Sequence, residues 1–304
     1  MTKKEQTRRQ FLQIAGIGAA ASLAGGPPRL LAQTSVGAQV GPYAALREGE
    51  RPFTPLDIKE LSNGVKLGLA SYTLRKFKLD DTLAMTQRVD LKYICFKSFH
   101  LALDSTPAEI EAVVAKVKEA GLTLYAGGVI SMNKEPDVHQ AFDYAKAAGM
   151  KVIVGSPAPG LLPLINEKVK QYDIKVAIHN HGPTDKLYPT PASAYEKIKD
   201  FDKRIGLCID IGHTQRAGVD PSDSAMKFAD RLLDVHIKDV SAATAEGDTV
   251  EIGRGVIDIP KFLKTLLEIK YSGIVAFEHE KDADDPLPGL AESVGYVRGV
   301  LAVI

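Results

Sequence analysis

Four side chains in the second half of the chain have the types and spacing of a metal or proton-transfer centre: His179, Asp210, His236 and Glu278. Each falls where an apolar, β-branched run gives way to a loop. Asp210 closes the run IGLCID just before Gly212 and His213. Burying an unpaired carboxylate costs several kcal/mol, so Asp210 should face a cation, a metal or a substrate hydroxyl, or else cap the next turn. Two imidazoles with two carboxylates make a mixed nitrogen and oxygen donor set. One divalent ion is therefore the expected cofactor, and Mn, Fe, Co, Ni or Zn suit the set better than Mg or Ca, which favour oxygen alone.

More polar residues collect at the same ends. Of the seven histidines all but His139 fall at an expected strand end, although any one of them could simply be a satisfied hydrogen bonder. Side chains two apart on a strand share a face, which pairs His179 with His181, Cys208 with Asp210, His236 with Lys238 and Glu278 with Glu280. A divalent ion that chelates a carbonyl and the adjacent hydroxyl stabilises the enediolate formed when the carbon between them loses its proton. Glu278, His179, Lys97 and His100 are the candidate bases. For substrate binding the candidates are His181, His213, Lys238 and Arg254. Lys238 could instead hold Asp239, and Arg254, in GDTVEIGRGVID, either closes over the site or is an exposed loop arginine.

Positioning these residues takes a repeating scaffold. Strands are expected at 65–74, 91–100, 122–130, 151–158, 175–182, 205–213, 232–240 and 273–280, each followed by a helical pattern. In the second unit Thr106, Pro107 and Gly121 mark the helix cap, first turn and stop. Several strands are continuously apolar, as parallel strands buried on both faces must be. Eight such units over about 240 residues predict a single-domain α/β fold, the closed (β/α)8 TIM barrel, whose chemistry sits where strands end and βα loops begin. A doubly wound open sheet is the alternative, but no GxGxxG follows the first strand.

The motifs IHNHGP, CIDIGH, DVHIKDV, IGRGVIDIPKFL and YSGIVAFEHEKD closely resemble the sugar phosphate isomerase/epimerase family, the xylose-isomerase-like TIM barrels, over residues 64–302. The resemblance implies one divalent metal held by a Glu, an Asp, a His and a Glu from strands 5 to 8, the last three being Asp210, His236 and Glu278. At the first position the chain departs from the pattern, reading HNHG where the family usually has ENHG, so His179 stands in for a glutamate. In many members the two metal-bound glutamates shuttle the proton, which puts simple aldose-ketose exchange by two glutamates in question here. The resemblance thus implies a metal-dependent isomerase or epimerase of a sugar or keto-sugar. Loss of the second glutamate makes a lyase more attractive, with the same carbanion eliminating a β leaving group from an oxidised (3-keto) glycoside. A non-catalytic carbohydrate-binding protein is the reading from another class.

Residues 1–32 read as an export signal rather than as part of the fold. Lys3, Lys4, Arg8 and Arg9 precede a weakly apolar Ala/Gly-rich segment, and TRRQFLQ (7–13) resembles the twin-arginine signal. The twin-arginine translocase is then a transient partner and the mature protein is periplasmic or secreted, with cleavage after Ala24 or Ala32. Phosphorylated sugars are cytoplasmic metabolites and no Gly-rich phosphate cradle is present, so a non-phosphorylated carbohydrate is the expected substrate. Residues 33–60, rich in Gly and Pro, form a linker or N-terminal arm, and 61–304 form the barrel. The balance of 38 basic and 38 acidic residues argues against nucleic acid as a partner. No apolar run after the first thirty residues is long enough to hold the cleaved protein in a membrane. A homo-oligomer is compatible with the chain. The two cysteines, Cys95 and Cys208, lie in expected strands and read as free and buried.

Overall fold

The computed structural model describes residues 62–304; the export-signal reading of 1–32 and the arm at 33–60 lie outside them. Eight parallel strands close into a ring: β1 (Lys66–Ala70), β2 (Tyr93–Phe96), β3 (Thr123–Met132), β4 (Val152–Pro157), β5 (Lys175–His179), β6 (Ile205–Asp210), β7 (Leu232–Ile237) and, after a small ribbon, β10 (Ile274–Phe277). The ribbon pairs β8 (Asp239–Val240) with β9 (Thr249–Val250) antiparallel. Each barrel strand lies beside its neighbours in sequence, and β10 closes on β1. The open sheet is thereby excluded.

Helices α1 (Leu79–Arg88), α2 (Pro107–Glu119), α3 (Glu135–Ala147), α4 (Leu162–Tyr172), α5 (Pro191–Ile198), α6 (Ile211–Arg216), α7 (Pro221–Lys227), α8 (Ile259–Glu268) and α9 (Leu287–Leu301) fill the connections. Local chemistry accounts for their ends. In α2 the Thr106 hydroxyl accepts from the Glu109 backbone N–H at 3.3 Å while the Glu109 carboxylate accepts from that of Thr106 at 2.7 Å, a reciprocal capping box. Gly121, at φ +68°, ends it in the left-handed region. In α8 the apolar residues Phe262, Leu263 and Leu266 recur at helical spacing and are buried against the barrel. Burial contributes roughly 1.5–3 kcal/mol for each such side chain.

The core has two parts. Outward-facing strand residues pack under the helices, while a separate interior cluster of Ala70, Cys95, Tyr125, Ala177, Cys208 and Ala276 fills the barrel. Both cysteines are buried and free. The small interior residues leave room above them for polar side chains at the C-terminal mouth.

Several strands stop earlier than their apolar pattern suggests. The chain after Ala70 turns into a 3-10 helix (Ser71–Leu74), Lys97 and His100 lie in a turn beyond β2, and Gly212 and His213 belong to α6. Pairing ends at the barrel mouth, where strands diverge and side chains and turns satisfy the backbone instead. The Asp210 carboxylate, for instance, accepts from the His213 N–H at 2.7 Å and starts a helix.

Candidate functional site: a His/Asp/Glu cluster in the barrel mouth

Register explains how the four residues meet. His179 pairs with Cys208, Asp210 with His236, and His236 with Ala276. The donors therefore climb by two residues from β5 to β6, stay level to β7, and climb by two more to Glu278. Steps of two keep them all on the inward face, and strand tilt in a closed barrel brings them to one height.

Donor atoms of all four buried residues lie within 4.8 Å of one another. His179 Nε2 is 3.1 Å from His236 Nδ1, 3.5 Å from Asp210 Oδ2 and 3.9 Å from Glu278 Oε2. His236 Nδ1 is 3.1 Å from Glu278 Oε2. These separations resemble the edges of a coordination polyhedron, about 3.0–3.4 Å for bonds near 2.1 Å. Asp210 uses both of the roles its sequence position allows, since Oδ1 caps α6 and Oδ2 turns into the cluster.

Lys238 joins them from the end of β7. Its ammonium, wholly buried, sits 2.9 Å from Glu278 Oε2 and 3.0 Å from Asp210 Oδ2 and also contacts Glu280 Oε1. Gly212 makes room for its stem, because a Cβ at that position would strike Lys238 Cγ. Asp239 is not its partner; that carboxylate instead accepts from the N–H groups of Val240, Gly253, Gly255 and Ile257 and shapes the loop carrying Arg254.

The electrostatics favour a bound cation. Three carboxylates, Asp210, Glu278 and Glu280, face one ammonium, which leaves two negative charges for a divalent ion to neutralise. Burial works against the charge on Asp210 and Glu278, yet Lys238 and the nearby imidazoles hold both well below the usual carboxylate range. Burial likewise opposes protonation of His236, but its neighbours Cys208 and Glu278 raise its pKa well above the ordinary value. Without a metal the cluster thus takes its cation as a proton. Burial pushes His179 down to about 3, so its imidazole is neutral at physiological pH and offers a lone pair. The residues present fit a divalent ion.

Above the cluster a cavity of about 230 Å³ is lined by Tyr72, Lys97, Val129, His179, His181, His213, Glu278 and Glu280. Lys97 enters from β2, opposite β6 in the ring, and donates to the Val129 carbonyl at 2.5 Å. Burial lowers its pKa, with Glu278 opposing. The rings of His181 and His213 lie 4.4 and 6.0 Å from that of His179. His181 also sits 3.2 Å from Asp185.

Two sequence candidates are not brought to this cavity. His100 is buried beneath the mouth, where its Nε2 shares a 2.9 Å hydrogen bond with the Thr82 hydroxyl. Arg254 is exposed and forms an ion pair with Glu292 on α9. In the other direction, sequence reasoning passed over Tyr72. Tyr72 lies in the 3-10 helix that follows β1, where strand alternation gives no signal.

A closed parallel barrel with a convergent His/Asp/Glu cluster at its C-terminal mouth defines the class: a TIM barrel with a potential metal centre. Residues 90–300 match the xylose isomerase-like TIM barrel family, and the chain belongs to it. It is 28% identical over 146 residues to the rhizopine catabolism protein MocC of Rhizobium meliloti, covering 43% of this chain and 44% of that protein. It is 28% identical over 123 residues to the inosose isomerase of Halalkalibacterium halodurans (39% and 44%) and 24% identical over 136 residues to the inosose dehydratase of Lacticaseibacillus casei (40% and 45%). The matches span less than half the length of these curated relatives. The structure of 3-keto-D-glucoside 4-epimerase YcjR from E. coli shares the fold at a TM-score of 0.63 and 17% identity, covering 77% of this chain and 99% of that one.

Proposed function

We propose that the protein is a metal-dependent isomerase or epimerase of a non-phosphorylated sugar or keto-sugar, acting through an enediolate. The observation that carries this reading is the convergence of four donor atoms at the floor of a cavity that also holds Lys97. His179, Asp210, His236 and Glu278 would hold the ion, which would supply Lewis-acid stabilisation of the charge that develops on the substrate's oxygens.

The chain's own residues do the rest. Lys97, with its pKa lowered by burial, takes or returns the proton on the carbon next to the carbonyl. Lys238 holds Glu278 and Glu280 in place and neutralises part of their charge. His181, His213 and Tyr72 line the entrance and bind hydroxyl groups. The cavity is smaller than the roughly 300–1,000 Å³ of sites for larger ligands, which is the scale of one sugar ring. The preference for a non-phosphorylated substrate is supported by the reading of residues 1–32 as a twin-arginine export signal, since an exported enzyme would not meet cytoplasmic sugar phosphates.

A second reading is a lyase acting on an oxidised glycoside. His179 in place of a glutamate favours it, because loss of a proton followed by departure of a β group needs no second carboxylate to return the proton. Similarity to an inosose dehydratase points the same way.

Metal analysis of protein purified without chelator, followed by a screen of free and 3-oxidised sugars in heavy water, tests the proposal. The expected result is one divalent ion per chain, deuterium uptake on one sugar class and loss of turnover in Glu278→Gln. A ketone product lacking the β substituent selects the lyase. Stoichiometric metal with no exchange on any carbohydrate leaves a binding protein.

A further inference from the structure

Beneath His236 lies a buried carboxylate that the proposed chemistry does not use. Asp234 stands two residues earlier on β7, fully buried, and pairs with Cys208 in the layer below Asp210 and His236. Tyr125 Oη, from β3, donates to its Oδ1 at 3.2 Å, and Cys208 Sγ donates to Oδ2 at 3.5 Å. The same Oδ2 is 3.7 Å from Nε2 of His236, the ring nitrogen turned away from the cluster. That nitrogen is buried and makes no hydrogen bond. The thiols of Cys95 and Cys208 also act on the His236 ring.

A carboxylate in the barrel floor carries a desolvation cost and needs partners to offset it. Its position suggests what it does there. Histidine has two nitrogens, and the one that meets an ion must carry a lone pair while the other carries the hydrogen. At 3.7 Å the Asp234 carboxylate is too far for a good hydrogen bond, but a full charge still acts on an N–H dipole strongly in a dry interior.

We propose that Asp234 is a positioning residue for the metal-binding edge of His236. Its charge keeps the hydrogen on Nε2, which leaves the Nδ1 lone pair directed at His179, Asp210 and Glu278 and fixes the ring plane. Tyr125 and Cys208 hold the carboxylate in that rotamer. Asp234 touches neither ion nor substrate and acts only through His236. The inference rests on the reading of the cluster as a metal centre. Groups that hydrogen-bond histidine ligands from behind typically contribute about 10–100-fold to metal affinity, and a charge acting at 3.7 Å belongs at the lower end of that range.

The test is calorimetric titration of the metal-stripped full chain with Zn²⁺ or Co²⁺, beside urea denaturation of the metal-free forms, for wild type, Asp234→Asn and Tyr125→Phe. Asp234→Asn is expected to bind about tenfold more weakly under urea-free conditions in which its metal-free form is still folded. A purely structural role would lower stability but leave the affinity of the folded protein unchanged. Tyr125→Phe is expected to weaken binding in the same direction by a smaller factor. If wild type binds no ion, the metal reading itself fails. If wild type binds and folded Asp234→Asn matches its affinity, the positioning role is overturned and the metal reading stands. Should Asp234→Asn not fold, wild-type affinity in Tyr125→Phe overturns it.

Discussion

Nε2 of His179 and Nδ1 of His236 face each other across 3.1 Å, one from β5 and the other from β7. Two imidazole edges at that distance can share one proton, and two carboxylate oxygens crowd the same space. His179 also marks the chain's departure from the glutamate its motif would predict, and it sets the first prediction. His179→Glu should retain metal but shift its preference toward harder ions such as Mg²⁺ or Mn²⁺, because a third carboxylate raises the oxygen share of the donor set. His179→Ala should lose at least about tenfold in affinity, ~1.4 kcal/mol. Competitive titration across a series of divalent ions reads both outcomes, and an unchanged ion preference in His179→Glu would contradict the assignment.

Lys238 behaves as a resident cation. In Lys238→Met, Asp210, Glu278 and Glu280 lose their shared partner, and stranding buried charge in this way costs roughly 3–5 kcal/mol. The metal-free variant should therefore unfold at markedly lower urea concentration than wild type. Saturating divalent ion should recover part of that loss, since a ligand that binds only the native state stabilises it by mass action. A variant whose stability is insensitive both to the loss and to the metal would show that the ammonium does not balance these carboxylates.

His100 provides a pH prediction away from the cluster. Burial lowers its pKa below the ordinary histidine value of about 6.5, with hydrogen bonds to the Phe77 and Leu74 carbonyls opposing. A depressed folded-state pKa means that the unfolded chain takes up the proton first as pH falls. The contribution of His100 is thus complete above about pH 6.5 and is lost as pH drops from there through the folded-state value, at up to ~1.4 kcal/mol per pH unit. His100→Gln should flatten the stability profile in that window. Urea melts at a series of pH values measure it, and parallel profiles for the two proteins would exclude the effect.

Much of this was legible along the chain because strands and helices are local. The rhythm of apolar runs and capped helices fixed the (β/α)8 plan, and the polar residues that end those runs marked the mouth. The Thr106 capping box and the Gly121 stop were readable for the same reason, as each depends on neighbours a few residues away. Alternation read downward as well as upward along LLDVHIKD would also have flagged Asp234, the carboxylate on the face of His236 and Lys238.

Only the closed barrel decided which of those residues work together. Strand tilt and register set the height of each side chain, so His179, Asp210, His236 and Glu278 converge from strands far apart in sequence. His100 and Arg254 appear equally promising as residue types. One turns beneath the mouth to Thr82, and the other lies on the surface against Glu292. Where pairing stops at the rim determines where such side chains point, and that depends on neighbouring strands and loops. The sequence could therefore determine the inventory of chemistry at the mouth, while long-range packing selected its members and brought the Lys238 ammonium among them.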